Sequence, residues 1–215
     1  MFQGGAAVTP APVVIELFTS QGCSSCPPAD QFVSELARNP RLVVFSRPVT
    51  YWDGLGWKDT LARPENTALQ HSYAAHANRG AGVYTPQIIV QGRDGAVGSS
   101  RSDVFALIKS AATSEGPLLT VNGNTLTVSG AKGRANVRLI ALTSTVSVKI
   151  GRGENSRRTI HYSNVVRSDV ILGVWNGGTA RFALTPAMRQ IRGADRYAII
   201  VQGFGAGPIL AARYL

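Results

Sequence analysis

Cys23-Ser24-Ser25-Cys26 holds the only two cysteines of a 215-residue chain, which limits what can be built around it. Val13 to Thr19, an apolar run that reads as a buried strand, comes just before the pair. Pro27-Pro28 follows and opens a helical pattern in which Ala29, Phe32, Val33, Leu36 and Ala37 share one face. Two cysteines three positions apart between a strand and a helix suit local dithiol chemistry rather than the stapling of distant segments. The positive end of the helix dipole favours thiolate at Cys23, and Cys26 is near enough to resolve a mixed disulfide. Because Pro27 biases its predecessor away from helical angles, Cys26 is expected at the helix cap, with Cys23 the more exposed sulfur in the loop outside. Two other readings stand beside this one: an inert local disulfide or idle thiol pair, and a metal site. A structural zinc site needs four ligands, and His71 and His76 are five residues apart, off a common helical face.

Strand and helix patterns alternate through the first half. Leu42 to Val49, Gln87 to Gln91 and a short run near Ala96-Val97 read as strands, Pro64 to about Asn78 and Ser102 or Asp103 to Ala112 as helices, Arg79-Gly80-Ala81-Gly82 as a break, and Gly92-Arg93-Asp94-Gly95 as a hairpin turn. The order is β-α-β-α-β-β-α. After Glu115-Gly116-Pro117 the texture changes to short β-rich runs: Leu118 to Val121, Thr125 to Val128, Val137 to Thr143, Val146 to Ile150, Thr159 to Val166, Val170 to Trp175, Ala180 to Leu184, Tyr197 to Gln202 and Ile209 to Arg213. The expectation is an extended or disordered stretch over 1–12, an α/β domain over 13–116 and a sandwich-like all-β domain over 117–215.

Charge divides along the same line. Residues 1–116 carry nine Lys/Arg and nine Asp/Glu, whereas residues 117–215 carry thirteen against three, so the net +10 lies in the second half. Arg152, Arg157, Arg158 and Arg167 are candidate anion-binding residues there, since clustered guanidinium groups suit phosphate or carboxylate. The aromatic platforms of nucleic-acid modules are missing. Gly151-Arg152-Gly153 lacks the lysine and the strand-to-helix setting of a phosphate loop. No cofactor is called for. No apolar stretch reaches the length of a membrane span, and residues 1–12 lack the basic start and hydrophobic block of a signal peptide.

Glu16 is an acid within an apolar strand and a candidate proton acceptor. Tyr51, Trp52, Asp53 and Trp57 belong to an aromatic, glycine-rich loop that is a candidate substrate-binding surface.

The first half resembles the thioredoxin arrangement, with a redox pair ending the first strand and Thr85-Pro86 preceding the third. That resemblance implies a cis proline at Pro86, packed beside the dithiol with Thr85, and an acid near Glu16 that serves the second cysteine. More specifically, Glu16 to Asp30, Tyr51-Trp52-Asp53, Leu55 to Asp59, Tyr84 to Gln87, Arg152 to Asn155 and Asn164 to Arg167 resemble the bacterial domain-of-unknown-function 1223 proteins. The resemblance implies a thioredoxin-like domain with a β-rich appendage, often exported to the periplasm or secreted. Relatives carry His-Val-Asp where this chain has Pro48-Val49-Thr50. The activity expected is thiol–disulfide exchange with a protein or small-molecule partner. The alternative is a binding protein with a structural disulfide and a basic surface for an anionic partner.

Overall fold

A computed structural model describes residues 12–76, 82–112 and 116–215. The expectations for residues 1–11, for the break at Arg79 to Ala81 and for the boundary at Glu115 lie outside the described residues. Over the first half the elements are β1 (Val13–Thr19), α1 (Pro27–Leu36), β2 (Leu42–Pro48), α2 (Pro64–His76), β3 (Gln87–Val90), β4 (Asp94–Val97) and α3 (Arg101–Ala111). The second half supplies β5 (Leu118–Asn122), β6 (Thr125–Ser129), β7 (Ala135–Lys149), β8 (Thr159–Trp175), β9 (Ala180–Ala183), β10 (Arg196–Gln202) and β11 (Ile209–Tyr214).

The two halves are not separate folds. The expected thioredoxin-like α/β domain with an independent β-sandwich is overturned by one eight-stranded mixed sheet, ordered β11-β10-β7-β8-β2-β1-β3-β4. A second sheet, β5-β6-β9, packs on the C-terminal part of the first, burying Leu126, Val128 and Leu184 against Val137, Leu139, Ile199 and Val201. The protein is mostly β, with three helices among the described residues.

The continuity of the sheet has an identifiable cause. Arg167-Ser168-Asp169 interrupts the apolar pattern and suggests a gap between two short strands, but β8 runs through it for 17 residues. Likewise β7 runs 15 residues through Thr143-Ser144-Thr145. Asp169 is polar because it answers a buried charge, and Ser144 donates N–H and Oγ–H bonds to Asp195. The long hairpin that results meets β2 in parallel at Ser46 and Val165, where Ser46 Oγ also donates to the Ser163 carbonyl at 2.8 Å.

β1 is buried on both faces because strands flank it and layers cover it. Its side chains alternate. Ile15 and Leu17 join Ala29, Phe32 and Val33 of α1 and Val104 of α3, while Val14 joins Val43, Phe45, Ile140, Leu142 and Ile200 in a core shared by both halves. Glu16 is on this second face. Arg47 Nε donates to it at 2.6 Å, and Arg47 Nη2 reaches Asp169 at 3.0 Å. Arg138 meets the other Asp169 oxygen at 2.7 Å, and Tyr73 donates to Glu16. One arginine, 1% exposed, therefore ties β1 and β2 to β8.

Arg47→Ala leaves the buried Glu16 without its cation and Asp169 with Arg138 alone. The expected cost is about 3–5 kcal/mol in urea unfolding. A loss under ~1 kcal/mol would show that the ion pairs do not hold the two halves together.

Candidate functional site

Cys23 and Cys26 form a disulfide, with Cα atoms 5.4 Å apart. The loop reaches it through successive turns: Cys23 N–H donates to the Ser20 carbonyl and Cys26 N–H to the Cys23 carbonyl, both at 3.2 Å. Cys26 is the N-cap of α1 and has helical angles (φ −78°, ψ −37°) despite Pro27. Its carbonyl accepts the Ala29 and Asp30 N–H groups, while Pro27 and Pro28 have none to offer. The helix therefore acts on the sulfurs through its dipole, with no free first-turn N–H. Cys23 Sγ is 3.4 Å from Ser25 Oγ.

Cys23 is not the more exposed sulfur. Both cysteines are fully buried, whereas Ser24 and Ser25 are exposed. The cover comes from the far half of the chain. At the β7–β8 hairpin tip, Asn155 is fully buried and its Nδ2 donates to the Gln21 and Cys23 carbonyls at 3.0 and 2.8 Å. Glu154 accepts the Ser24 N–H at 3.3 Å, and Arg158 donates to Asn155 Oδ1. Ile150, Ile160, Tyr162 and Val165 of the hairpin pack with Leu61 and Trp57, holding the tip in place.

The aromatic loop closes the other side. Trp57 Nε1 donates to Gln21 Oε1 at 2.8 Å, and a Cβ on Gly151 would come within 3.1 Å of the Trp57 ring. Trp52 lies against Gly22, where an added Cβ would sit 3.1 Å from Trp52 Cβ. Asp53 accepts the Asp59 N–H at 3.0 Å, and Asp59 accepts the Gln21 N–H at 2.8 Å. Tyr51 is 39% exposed at the rim. Its hydroxyl pKa is raised by burial.

The Thr85–Pro86 bond is cis. A Cβ on Gly98 would lie 3.1 Å from both Pro86 and Ala29, so Pro86 borders the first turn of α1. Thr85 Oγ1 is buried with no partner among the described residues.

Glu16 is not at the dithiol. Strand alternation turns it to the face opposite α1, where Arg47 and Tyr73 occupy it. The buried acid on the cysteine side of the sheet is Asp30 of α1, one helical turn after Cys26 and 2% exposed. Thr19 Oγ1 donates to its Oδ1 at 2.8 Å, while its Oδ2 has no partner among the described residues. Burial pushes its carboxyl well above the usual range; the Thr19 bond opposes this and the Asp59 charge adds to it. Asp59 is also raised by burial, against the Gln21 and Leu61 N–H groups. Tyr162 is raised by burial and by Asp30 and Asp59, and its hydroxyl lacks a partner among the described residues. Two acids and a phenol thus share the space under the hairpin. Asp30 was findable in the sequence, as an acid three positions before Val33 on the apolar face of α1; Asn155 gave no such sign.

Arg152, Arg157 and Arg158 surround Asn155, but Arg167 is nine positions further along the chain, beside Gly193. A cavity of about 340 Å³ is lined by Arg47, Arg63, Asn66, Arg138, Ser168 and Asp169. It lies against the Arg47 ion pairs, and each of its three arginines already has a carboxylate partner. Among the described residues there is no cluster of three metal-ligating side chains, and no helix is long and apolar enough to cross a membrane.

Comparison with known proteins supplies a family and no activity. The family model described as "Protein of unknown function (DUF1223)" matches residues 14–202, and the chain belongs to that family. A structural-genomics crystal structure from Agrobacterium tumefaciens superposes with a TM-score of 0.83 at 28% identity, covering 97% of this chain and 96% of that one. HBP35 of Porphyromonas gingivalis shares the fold at a TM-score of 0.54 and 12% identity, over 98% of this chain and 76% of that one. No curated protein matches.

Asn155→Ala removes the donor to two carbonyls. The expected outcome is a loss of about 1–3 kcal/mol in chemical unfolding, with faster reduction of the disulfide by dithiothreitol. Asp30 binds its proton more tightly folded than unfolded, so stability falls as pH rises from the ordinary carboxylate range towards its raised folded pKa. Asp30→Asn should flatten that slope in Tm measured against pH; an unchanged slope would show that Asp30 is ionised throughout.

Proposed function

We propose that this member of the DUF1223 family is a thiol–disulfide oxidoreductase, with Cys23 as the exchanging sulfur and Cys26 as the resolving one. The observation that carries the reading is a disulfide closed at the start of a helix, one turn before a buried carboxyl with an unpartnered oxygen. In the oxidising direction, the Cys23 thiolate attacks one sulfur of a partner disulfide, and the other partner sulfur leaves and is protonated. Cys26 then gives up its proton and attacks Cys23 Sγ, releasing the second partner sulfur as a thiol. Two electrons and two protons pass from the cysteine pair to the partner, and the reverse sequence reduces the pair. Asp30 takes the Cys26 proton in the resolving step, the role first assigned to Glu16. Support comes from their shared helical turn and the raised Asp30 pKa. Pro86 and Thr85 flank the partner chain. A resting disulfide fits an oxidising compartment such as the periplasm.

The burial of both sulfurs favours a second reading, a structural staple clasped by Asn155. Equilibration with a glutathione redox buffer, followed by thiol trapping, separates the two. The redox reading expects exchange within minutes, lost in Cys23→Ser and slowed about 100-fold at the resolving step in Asp30→Asn. A disulfide that survives native incubation with reduced glutathione and opens only on unfolding would establish the staple.

A further inference from the structure

The exposed charges around the disulfide are mostly of one sign. Ser24 and Ser25 are the exposed residues between the cysteines, and two loops flank them. One carries Tyr51, Leu55 and Lys58; the other carries Arg152, Arg157 and Arg158. The loops touch each other: a Cβ on Gly56 would lie 3.8 Å from Gly153 Cα, and one on Gly153 would lie 3.3 Å from Trp57 Cβ. All four cations are exposed, and among the described residues none makes an ion pair. Two acids oppose them. Asp53 is half-buried and accepts the Asp59 N–H.

The other acid is Glu154, and its position says what fits. Its carboxylate accepts the Ser24 N–H, a donor midway between the two cysteines. The neighbouring residue, Asn155, clasps the Cys23 carbonyl and is itself held by Arg158. A carboxylate of this chain thus occupies the centre of the path a partner must take, on the tip that covers the sulfurs.

We infer that the partner is an acidic polypeptide whose cysteine is flanked by Asp or Glu, and that Glu154 holds the place of a partner carboxylate until docking displaces it. This rests on the redox reading above and names the substrate class for it. The unpaired cations steer the partner to the rim. A partner carboxylate takes the Ser24 N–H from Glu154, the hairpin tip lifts, and Cys23 becomes reachable. Leu55, 63% exposed, and Tyr51 offer apolar contact to a chain longer than a small thiol compound.

The test measures second-order oxidation of the reduced protein by three disulfides: neutral 2-hydroxyethyl disulfide, a peptide dimer with acidic residues beside its cysteine, and the same dimer with lysines. The acidic dimer should react at least ~10-fold faster than the basic one near 10 mM salt. That ratio should shrink towards unity near 0.5 M, where screening shortens the reach of exposed charge. The double substitution Arg152→Glu with Arg157→Glu should reverse the order. Glu154→Ala, which removes the acceptor from the Ser24 N–H, should raise the acidic dimer's rate several-fold. Equal rates for the two dimers, with 2-hydroxyethyl disulfide reacting, would overturn the inference and leave the oxidoreductase standing. A protein inert to all three would sink both.

Discussion

The placement of Arg47 decides how the rest of the molecule is arranged. Its guanidinium is buried between Glu16 and Asp169, which are far apart in sequence and belong to opposite halves of the chain. Burying a charge this deeply is costly unless it is paired and hydrogen-bonded, and here Glu16, Asn66 and Asp169 each accept one bond from it. These pairs specify where the seam between β2 and β8 must form. Apolar packing alone specifies the register less sharply, since much of the shared core is aliphatic Val, Ile and Leu.

That seam also explains how residues about 130 positions apart come to share a site. With β8 fixed against β2, the outer part of the β7–β8 hairpin lies over the α1 side of the sheet, and its tip meets the cysteine loop. The aromatic loop and the arginine loop read as separate features in the sequence. They turn out to be the two walls around one disulfide, joined through Trp57, Gln21 and Asn155.

Local features were readable because they depend on local periodicity. The strand before the cysteines, the proline-started helix and the short strands starting at Leu118 and Thr125 each follow from spacing or from a residue's own backbone preference. The architecture was not readable, for an equally physical reason. Arg167-Ser168-Asp169 looks like a break when charge is taken as a sign of solvent, yet Asp169 is polar to meet Arg47. Glu16 shows the same limit. Its apolar setting marked it as buried and in need of a partner, but pairing decides which face of a strand meets the helix. Asp30 carried a usable signal, an acid on the apolar stripe of α1.

Asn155 holds the cysteine loop by hydrogen bonds to main-chain oxygens, those of Gln21 and Cys23. A clasp of that kind recognises the path of the backbone and is indifferent to what the backbone carries. The two residues between the cysteines can therefore change, altering the electronic surroundings of the sulfurs, while the cover over them stays intact. Protection and tuning of the disulfide are separable traits, one encoded at the tip of a distant hairpin and the other in a dipeptide.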